Sequence, residues 1–499
     1  MCAIDMKTRI FIISLCLAAT LSQAAESNHV IRSMSLRSCI EHALADNLEI
    51  RFERINPGIA SWGVVQQQGV FDPAFVAAAN YNDSSMPLLS GGTSNERQFS
   101  PSLGLTGVLP TGTGYGLSVA DSRTGGSSIN GTGISDYTYT GAATLTLTQP
   151  LLKNFGLDPN LAQIRVAHTK RDIAIQNFAQ LVMSKISAVS KAYCELVFAI
   201  EDYKAQLESL TLARRLLDEN RKRVQVGVLS PLDVTQAEAG AAEREEAVII
   251  AERTITDNEN ILKRLIASDV RSFQGVSLQP TDFPLLEIID TDVARSTRTA
   301  LEQRPEYRAA VKFIEQQHIL VEYNRNQLWP ELDLQGSYGM NGLAYSGFHT
   351  LTSRQLGQDN PAWGVGLSIS FPLGNRKARA NYNIARLDRE QALISLKQLE
   401  QNIVVEVDNA VRLVRTNLKR VEATRVASRL ARESLAAEET KLRAGTSTSF
   451  LVLQAQSQLA TALSAEQRAR ADYSESLVAL ALSEGTILQK NNIVLDEKF

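Results

Sequence analysis

After its first two dozen residues, this 499-residue chain has no apolar run of about 18 residues, the length an α-helix needs to cross a bilayer. A chain that spans a membrane without such a run must do so as a β-barrel. Aromatics are scarce at 6%, thin for an ordinary globular core. Neither sign of charge dominates: 51 Lys and Arg stand against 54 Asp and Glu, so there is no basic footprint for nucleic acid. The five histidines, His29, His42, His168, His318 and His349, are scattered without metal-ligand spacing. The pieces GTGYG (112–116) and GVG (364–366) lie inside strand-like alternation, which is the wrong context for a phosphate loop. No set of base, nucleophile and orienting group emerges. The chain reads as a non-enzyme without metal or cofactor.

Of the four cysteines, Cys2 and Cys16 belong to an N-terminal segment that reads as an export signal. Lys7 and Arg9 supply its positive region, Ile10–Leu21 its apolar core and Ser22-Gln23-Ala24 its cleavage site, so residues 1–25 are expected to be removed. Met6 is an alternative start. Lipidation at Cys16 is disfavoured because Leu15 stands where a small residue is wanted. Cys39 and Cys194 fall inside helical patterns and read as buried small hydrophobes.

The rest is dominated by Ala, Leu, Gln, Glu and Arg, the composition of long helices. Ser35–Ile55 reads as a first helix, capped by Ser35, with Leu36, Ile40, Ala43 and Leu44 on one stripe. Asn56-Pro57-Gly58 is expected to interrupt it before a weak continuation to Gly69. From residue 71 to 150 the texture turns to alternation with Gly, Ser, Thr and Tyr. Four strands are predicted, Asp72–Asn82, Phe99–Leu109, Gly114–Ala120 and Tyr137–Gln149. The tight turn Pro110–Gly114 contrasts with polar loops at Ser84–Arg97 and Asp121–Asp136. Short turns at one rim and long loops at the other are a habit of outer-membrane barrels.

A helical hairpin is predicted over 157–268. Its first limb carries Val182, Ile186, Val189, Tyr193, Leu196, Ile200, Tyr203, Leu207 and Leu210 at alternating steps of four and three, a heptad seam. Residues 269–292, with Pro280 and Pro284, read as a linker. Then the plan repeats over 293–486, with strands in 331–372 (Leu332–Met340 and Trp363–Phe371) and a second helical hairpin over 377–484. Residues 487–499 form a C-terminal tail. Val404, Val407, Val411, Val414, Leu418 and Val421 repeat the seam.

The two hairpin turns echo each other at a separation of 218 residues: Gly445 stands where Gly227 does, and Val452, Gln454 and Ala455 where Val234, Gln236 and Ala237 do. The two glycines suit the left-handed residue that ends a helix. Ser230 is placed to cap the returning helix with Pro231 at its first position, and Thr448 or Ser449 to do so in the second half.

Three elements together, in order, resemble the TolC-like outer-membrane efflux family. They are the tips KRVQVGVLSPLDVTQAE and TKLRAGTSTSFLVLQAQ, the openings SLRSCIEHALADNLEI and ALEQRPEYRAAV, and the strand exits LTLTQPL and LSISFPL. The resemblance covers Ser35 to about Glu484. It implies an α+β membrane protein built from two internal repeats: a trimeric outer-membrane β-barrel continued by a long periplasmic α-helical coiled-coil barrel. It implies an exit duct of a tripartite efflux or type I secretion system, with a periplasmic adaptor and an inner-membrane pump or ABC transporter as partners, and outer-membrane lipid around the barrel. The other reading, a periplasmic coiled-coil adaptor or scaffold, fits less well because such proteins normally carry one hairpin and no barrel strands.

The same resemblance assigns adaptor binding to the first tip, Val226, Gly227, Val228, Leu229, Ser230, Pro231 and Leu232. It assigns the second tip, Ala444, Gly445, Thr446, Ser447, Thr448, Ser449 and Phe450, the same role. The periplasmic aperture is expected at Asp233, Gln236, Leu451 and Gln454. Ser447 stands where a latch arginine can occur, which points away from a charged latch and toward an apolar constriction at Phe450 and Leu451. The family usually supplies two strands per repeat, whereas the first half here offers four. The residues leave open whether the extra pair, about 99–120, widens the barrel or packs elsewhere.

Overall fold

The computed structural model describes residues 30–87, 93–127, 137–282, 292–344 and 360–495. The predicted export signal, His29, His349 and parts of the predicted polar loops and linker lie outside the described residues. The chain divides into two units. One holds residues 54–179 and 305–402; the other holds the residues up to 53, then 180–304 and 403–495.

The first of these units is organised by one sheet. Strands β2 (Ala74–Pro87), β3 (Thr93–Val108), β4 (Gly114–Ser127), β5 (Thr138–Pro150), β7 (Glu331–Ala344) and β8 (Pro361–Ser370) pair antiparallel in the order β2-β3-β4-β5-β7-β8. The predicted strands are all present, and most run further than expected. Ser84–Pro87, Thr93–Arg97 and Asp121–Ser127, read as loop, continue the ladder, with Asn95 opposite both Ser85 and Ser127. Backbone pairing carries a strand past the point where its side chains stop alternating. The tight turn predicted at 110–114 is closed by Leu109 N–H donating to Thr113 O at 2.8 Å, with Gly112 at φ 87°.

Alternation sorts the side chains by face. Odd residues of β2 to β5 share one face with even residues of β7 and odd residues of β8, because the registers pair them so. That face carries most of the Leu, Val, Phe, Tyr and Trp. The other is largely Ser, Thr, Asn, Gln and Gly.

The duplication is visible in the numbering of the strands. Ala43 and Ala300, in the two openings, are 257 residues apart, and so are the first residues of β2 and β7, Ala74 and Glu331. The exits at Pro150 and Pro372 are 222 apart. The first half therefore holds 35 more residues between opening and exit, which is the span of the hairpin Thr93–Ser127. Its sheet is the two-stranded sheet of the second half with a β-hairpin inserted.

Both exits turn on an asparagine with positive φ, Asn154 (60°) and Asn375 (41°), the non-glycine residue that best tolerates that region. Asn154 is further tied by its N–H to Asn326 Oδ1 at 2.8 Å, and Asn375 Nδ2 donates to Leu328 O at 3.1 Å.

The same unit contains helices α3 (Ile55–Gln68), α4 (Leu157–Asn160) and α8 (Pro305–Asn326). The expected interruption by Asn56-Pro57-Gly58 is present at Arg54: the preceding helix stops at Glu53 and α3 starts at Ile55, which puts Pro57 in its first turn, where a missing N–H bonds nothing within the helix. A second break, not expected, comes at Asn47, between α1 (Leu36–Asp46) and α2 (Leu48–Glu53) in the other unit. Asn47 leaves helical geometry and its Oδ1 accepts from Glu49 N–H at 2.9 Å, capping the next helix.

That other unit is a helical bundle. It holds the later residues of α5 (Ala162–Gln225) and α9 (Arg376–Arg443), with the returning helices α6 (Pro231–Ile266) and α10 (Ser449–Ser483). The seam of α5 is buried as predicted at Val182, Ile186, Val189, Tyr193, Leu196 and Leu210, while Leu207 is exposed. On α9, Val407, Val411, Val414 and Val421 are buried, but Val404 points outward and Ile403 takes its place.

Repeat symmetry appears again at the helix ends. Asn47 donates from Nδ2 to Leu265 O at 2.8 Å, and its counterpart Arg304, which follows α7 (Val293–Gln303), donates to Ser483 O at 3.3 Å. Each short helix is thereby fastened to the end of the returning helix of its own half. The presumed linker also contains a strand, β6 (Val276–Pro280), paired in parallel with β1 (Val30–Met34). This pairing was not legible, since neither segment can form a strand without the other.

Candidate functional site

The two hairpin turns have the same construction. At the first, Gly227 (φ 78°) donates to Val224 O and Val228 to Arg223 O, both at 2.9 Å. At the second, Gly445 (φ 76°) donates to Leu442 O at 3.2 Å and Thr446 to Lys441 O at 3.0 Å. This paired bonding at a left-handed glycine satisfies the last carbonyls of each helix. The following helices start on their predicted caps. Ser230 Oγ accepts from Leu232 N–H at 3.2 Å, and the Asp233 carboxylate accepts from Ser230 N–H at 3.1 Å. Thr448, rather than Ser449, caps α10.

The tips present apolar side chains to solvent. Val226 is 74% exposed, and Val228, Leu232 and Phe450 are also more exposed than buried. Around them are Gly227, Ser230, Pro231, Ala444, Gly445, Thr446 and Thr448, all exposed, with Leu229 and Ser447 half-buried. Ser449 departs from the expectation. It is 1% exposed and turned inward, so it is not part of the tip surface.

Of the four predicted aperture residues, Gln236, Leu451 and Gln454 are exposed on the first turns of α6 and α10. Asp233 is half-buried and engaged in the cap of its own helix. Ser447, at the position noted for a latch cation, bonds the Glu438 carboxylate, which Lys441 Nζ also reaches at 3.1 Å. The Ser447 hydroxyl and then Lys441 hold the Glu438 carboxyl below its usual range.

Beneath the tips the two hairpins are packed together. Leu216 of α5, Leu435 and Leu442 of α9, and Val452, Ala455 and Leu459 of α10 form one apolar cluster. Ala213 and Leu217 of α5 with Ala237 and Ala241 of α6 form a second. Asn220 is fully buried at 0% exposure beside them. Its Nδ2 donates to Asp233 O at 3.3 Å and its Oδ1 accepts from Ser449 Oγ at 3.0 Å. Sequence reasoning missed this residue. The available signal was its position, three residues after Leu217 and four before Val224, where a seam calls for an apolar side chain.

A charged cluster on the same helices was also missed. Arg468 Nη1 donates to Glu195 Oε2 at 2.8 Å and its Nε to Asp472 Oδ1 at 2.7 Å, with the guanidinium 5.1 Å from the Phe198 ring centroid. Glu475 lies against the same Glu195 carboxylate. Burial and then Glu195 push its carboxyl up to about 7, against the pull of Arg468 and Lys191. Among the described residues no group of three or more His, Cys, Asp or Glu side chains is placed to hold a metal ion. No described helix is long and apolar enough to cross a membrane.

The family described as outer membrane efflux protein matches residues 39–268 and again 297–486. Among solved structures, the chain is similar to the outer-membrane channel OprN, at 19% identity over 90% of each chain and a TM-score of 0.68. It is similar also to the CmeC outer membrane channel of Campylobacter jejuni, at 17% identity over 93% of this chain and 90% of that one, TM-score 0.67. VceC, an outer membrane protein of Vibrio cholerae, gives 18% identity over 90% of this chain and 96% of that one, TM-score 0.66. These likenesses show a shared fold. No curated protein matches in sequence.

Proposed function

The chain belongs to the outer membrane efflux protein family, and on that premise we propose that it is the exit duct of a tripartite export system. Three copies assemble, their sheets closing one β-barrel in outer-membrane lipid and their long helices lining one periplasmic tunnel. An inner-membrane pump or ABC transporter feeds the tunnel through a periplasmic adaptor, and the duct conducts substrate passively.

The observation that carries this reading is the pair of matched tips, with Val226, Val228, Leu232 and Phe450 exposed on two turns of the same hydrogen-bonded construction. Apolar side chains at an exposed hairpin end call for a partner surface. Adaptor hairpins are that partner. Just past the tips, Gln236, Leu451 and Gln454 line the aperture, and Leu451 with Phe450 forms an apolar constriction. The alternative of a periplasmic adaptor or scaffold is disfavoured by a six-stranded sheet with one apolar, solvent-facing side.

Three measurements test the proposal together: extraction from membranes, mobility on a gel before and after heating, and affinity purification after crosslinking. Detergent-dependent extraction, a heat-modifiable trimer and co-purifying adaptor and pump are expected. A soluble periplasmic monomer would overturn the reading.

A further inference from the structure

We propose that the inserted hairpin β3–β4 is part of the membrane wall itself, so that each copy of the chain contributes six strands to one barrel. In that barrel the β2 edge of one copy pairs with the β8 edge of the next. The inference rests on the reading of the chain as an outer-membrane duct and specifies how its barrel is built.

The first support is topological. In the second half the two strands of the repeat, β7 and β8, pair with each other. In the first half their counterparts β2 and β5 do not, because the hairpin stands between them with continuous ladders on both sides. Folding the hairpin away would break two ladders and leave β2 alone.

The second support is the match of faces. The registers join Phe75, Leu105, Leu117, Leu145, Tyr338 and Trp363 into one row across all six strands, and all six side chains are exposed. Leu105 and Leu117 belong to the hairpin and continue the row without a gap. The neighbouring row on the opposite face reads Val76, Gly104, Ser118, Thr144, Gly339 and Ala362, small or polar from β3 onward. Apolar outward and polar inward is the pattern a barrel strand needs in lipid. A hairpin packed in the loops or at the rim would have no reason to keep it. Six residues along β2 from Phe75, Tyr81 pairs with Phe99, which faces Arg123, and the Arg123 guanidinium lies 3.5 Å from the Tyr137 ring centroid. The hairpin thus adds Phe99, and the Arg123 that covers Tyr137, to an aromatic row of the kind that marks a membrane interface.

The third support is the edges. Among the described residues β2 and β8 have no outer neighbour within the sheet, and an unpaired edge is not tolerated in lipid. Six strands are too few to close on themselves. Because six is even, β8 runs opposite to β2, so a second copy set beside the first continues the antiparallel ladder across the junction. With three copies the wall has eighteen strands. At a strand spacing of about 4.8 Å and a tilt of about 40°, its diameter is about 36 Å, against about 24 Å for a wall lacking the hairpins.

The test places single spin labels on the full-length protein in lipid vesicles, at Leu117→Cys and Ser118→Cys in the hairpin and at Leu367→Cys and Ser368→Cys in β8. Collision with oxygen, which partitions into lipid, is compared with collision with a water-soluble nickel complex. Position 117 is expected to follow 367 into lipid, and 118 to follow 368 into water. If 367 and 368 separate but both hairpin positions meet only water, the hairpin lies outside the wall and the inference is overturned while the duct stands. If 367 and 368 fail to separate, the duct reading itself is overturned. End-on projection images of the assembled protein give a second measure: a wall near 36 Å supports six strands per copy, and one near 24 Å rejects them.

Discussion

Ser449 donates its hydroxyl hydrogen to Oδ1 of Asn220 at 3.0 Å, joining the two helical hairpins across 229 residues of chain. The same amide donates to Asp233 O, so one buried side chain touches three helices at the base of the tips. Replacing Asn220 with Ala leaves Ser449 buried without its partner. A loss of about 1–3 kcal/mol is expected from the orphaned hydroxyl and the lost amide bonds. Thermal unfolding checks it, and Asn220→Ala should also raise hydrogen exchange at both tips together.

The exposed apolar tip offers a sharper separation of binding from folding. Val228→Glu combined with Leu232→Glu alters side chains that touch mainly solvent, so the melting temperature should stay within a degree or so. Adaptor co-purification should be lost, because a charge cannot be desolvated against an apolar partner without a counter-ion. Retention of the adaptor at wild-type yield would exclude the first tip from the interface.

At the proposed aperture, Leu451→Ser removes one of the two apolar side chains of the proposed constriction. Trimers carrying it in planar bilayers should open more often or pass more current than wild type. An unchanged open probability and current would remove Leu451 from the gate.

The Glu195–Glu475 pair gives a pH signature. A carboxyl whose folded value is raised to about 7 from an ordinary 4.5 supports the fold fully below about 4.5 and loses that support as pH rises through 7. Wild-type stability should therefore fall between pH 5 and pH 8 relative to Glu475→Gln, which cannot ionise. Denaturation midpoints of both proteins across that range test the sign. Parallel curves would show that Glu475 carries no such shift.

Two glycines with nearly equal φ separate strain from crowding. Gly227 (78°) has open space where a Cβ would go, whereas at Gly485 (74°) a Cβ would lie 2.9 Å from Arg304 N. Gly227→Ala is expected to cost about 1–2 kcal/mol, the penalty of a left-handed side chain alone. Gly485→Ala should cost more, because backbone must also move. Equal losses in chemical denaturation would argue against the close approach.

Much of the fold was legible because it is local. Gly227 and Gly445 had to take positive φ where long periodic stretches stop, and both do. The seam from Val182 to Leu196 was readable as heptads, and it is buried. Asn47 was misread because a helix break without Gly or Pro leaves no mark in a hydrophobic stripe; the side chain that caps the next helix made the break. Ser449 was placed on the tip surface for the same reason, since a single residue, a rotation of about 100° on a helix, separates the exposed Phe450 from its buried neighbour and only the partner helix decides which is which.

By itself the sequence determined the two repeats, the helical hairpins, the turn chemistry at both tips and the existence of four strands in the first half. Those features depend on residues close in the chain, through periodicity and backbone preference. Tertiary structure alone decided that the extra hairpin separates β2 from β5, that Val276–Pro280 pairs with Val30–Met34, and that Asn220 and Ser449 meet. Each of these is a match between segments far apart in sequence, and a backbone edge or a buried amide can be satisfied by whichever partner the packed fold brings to it.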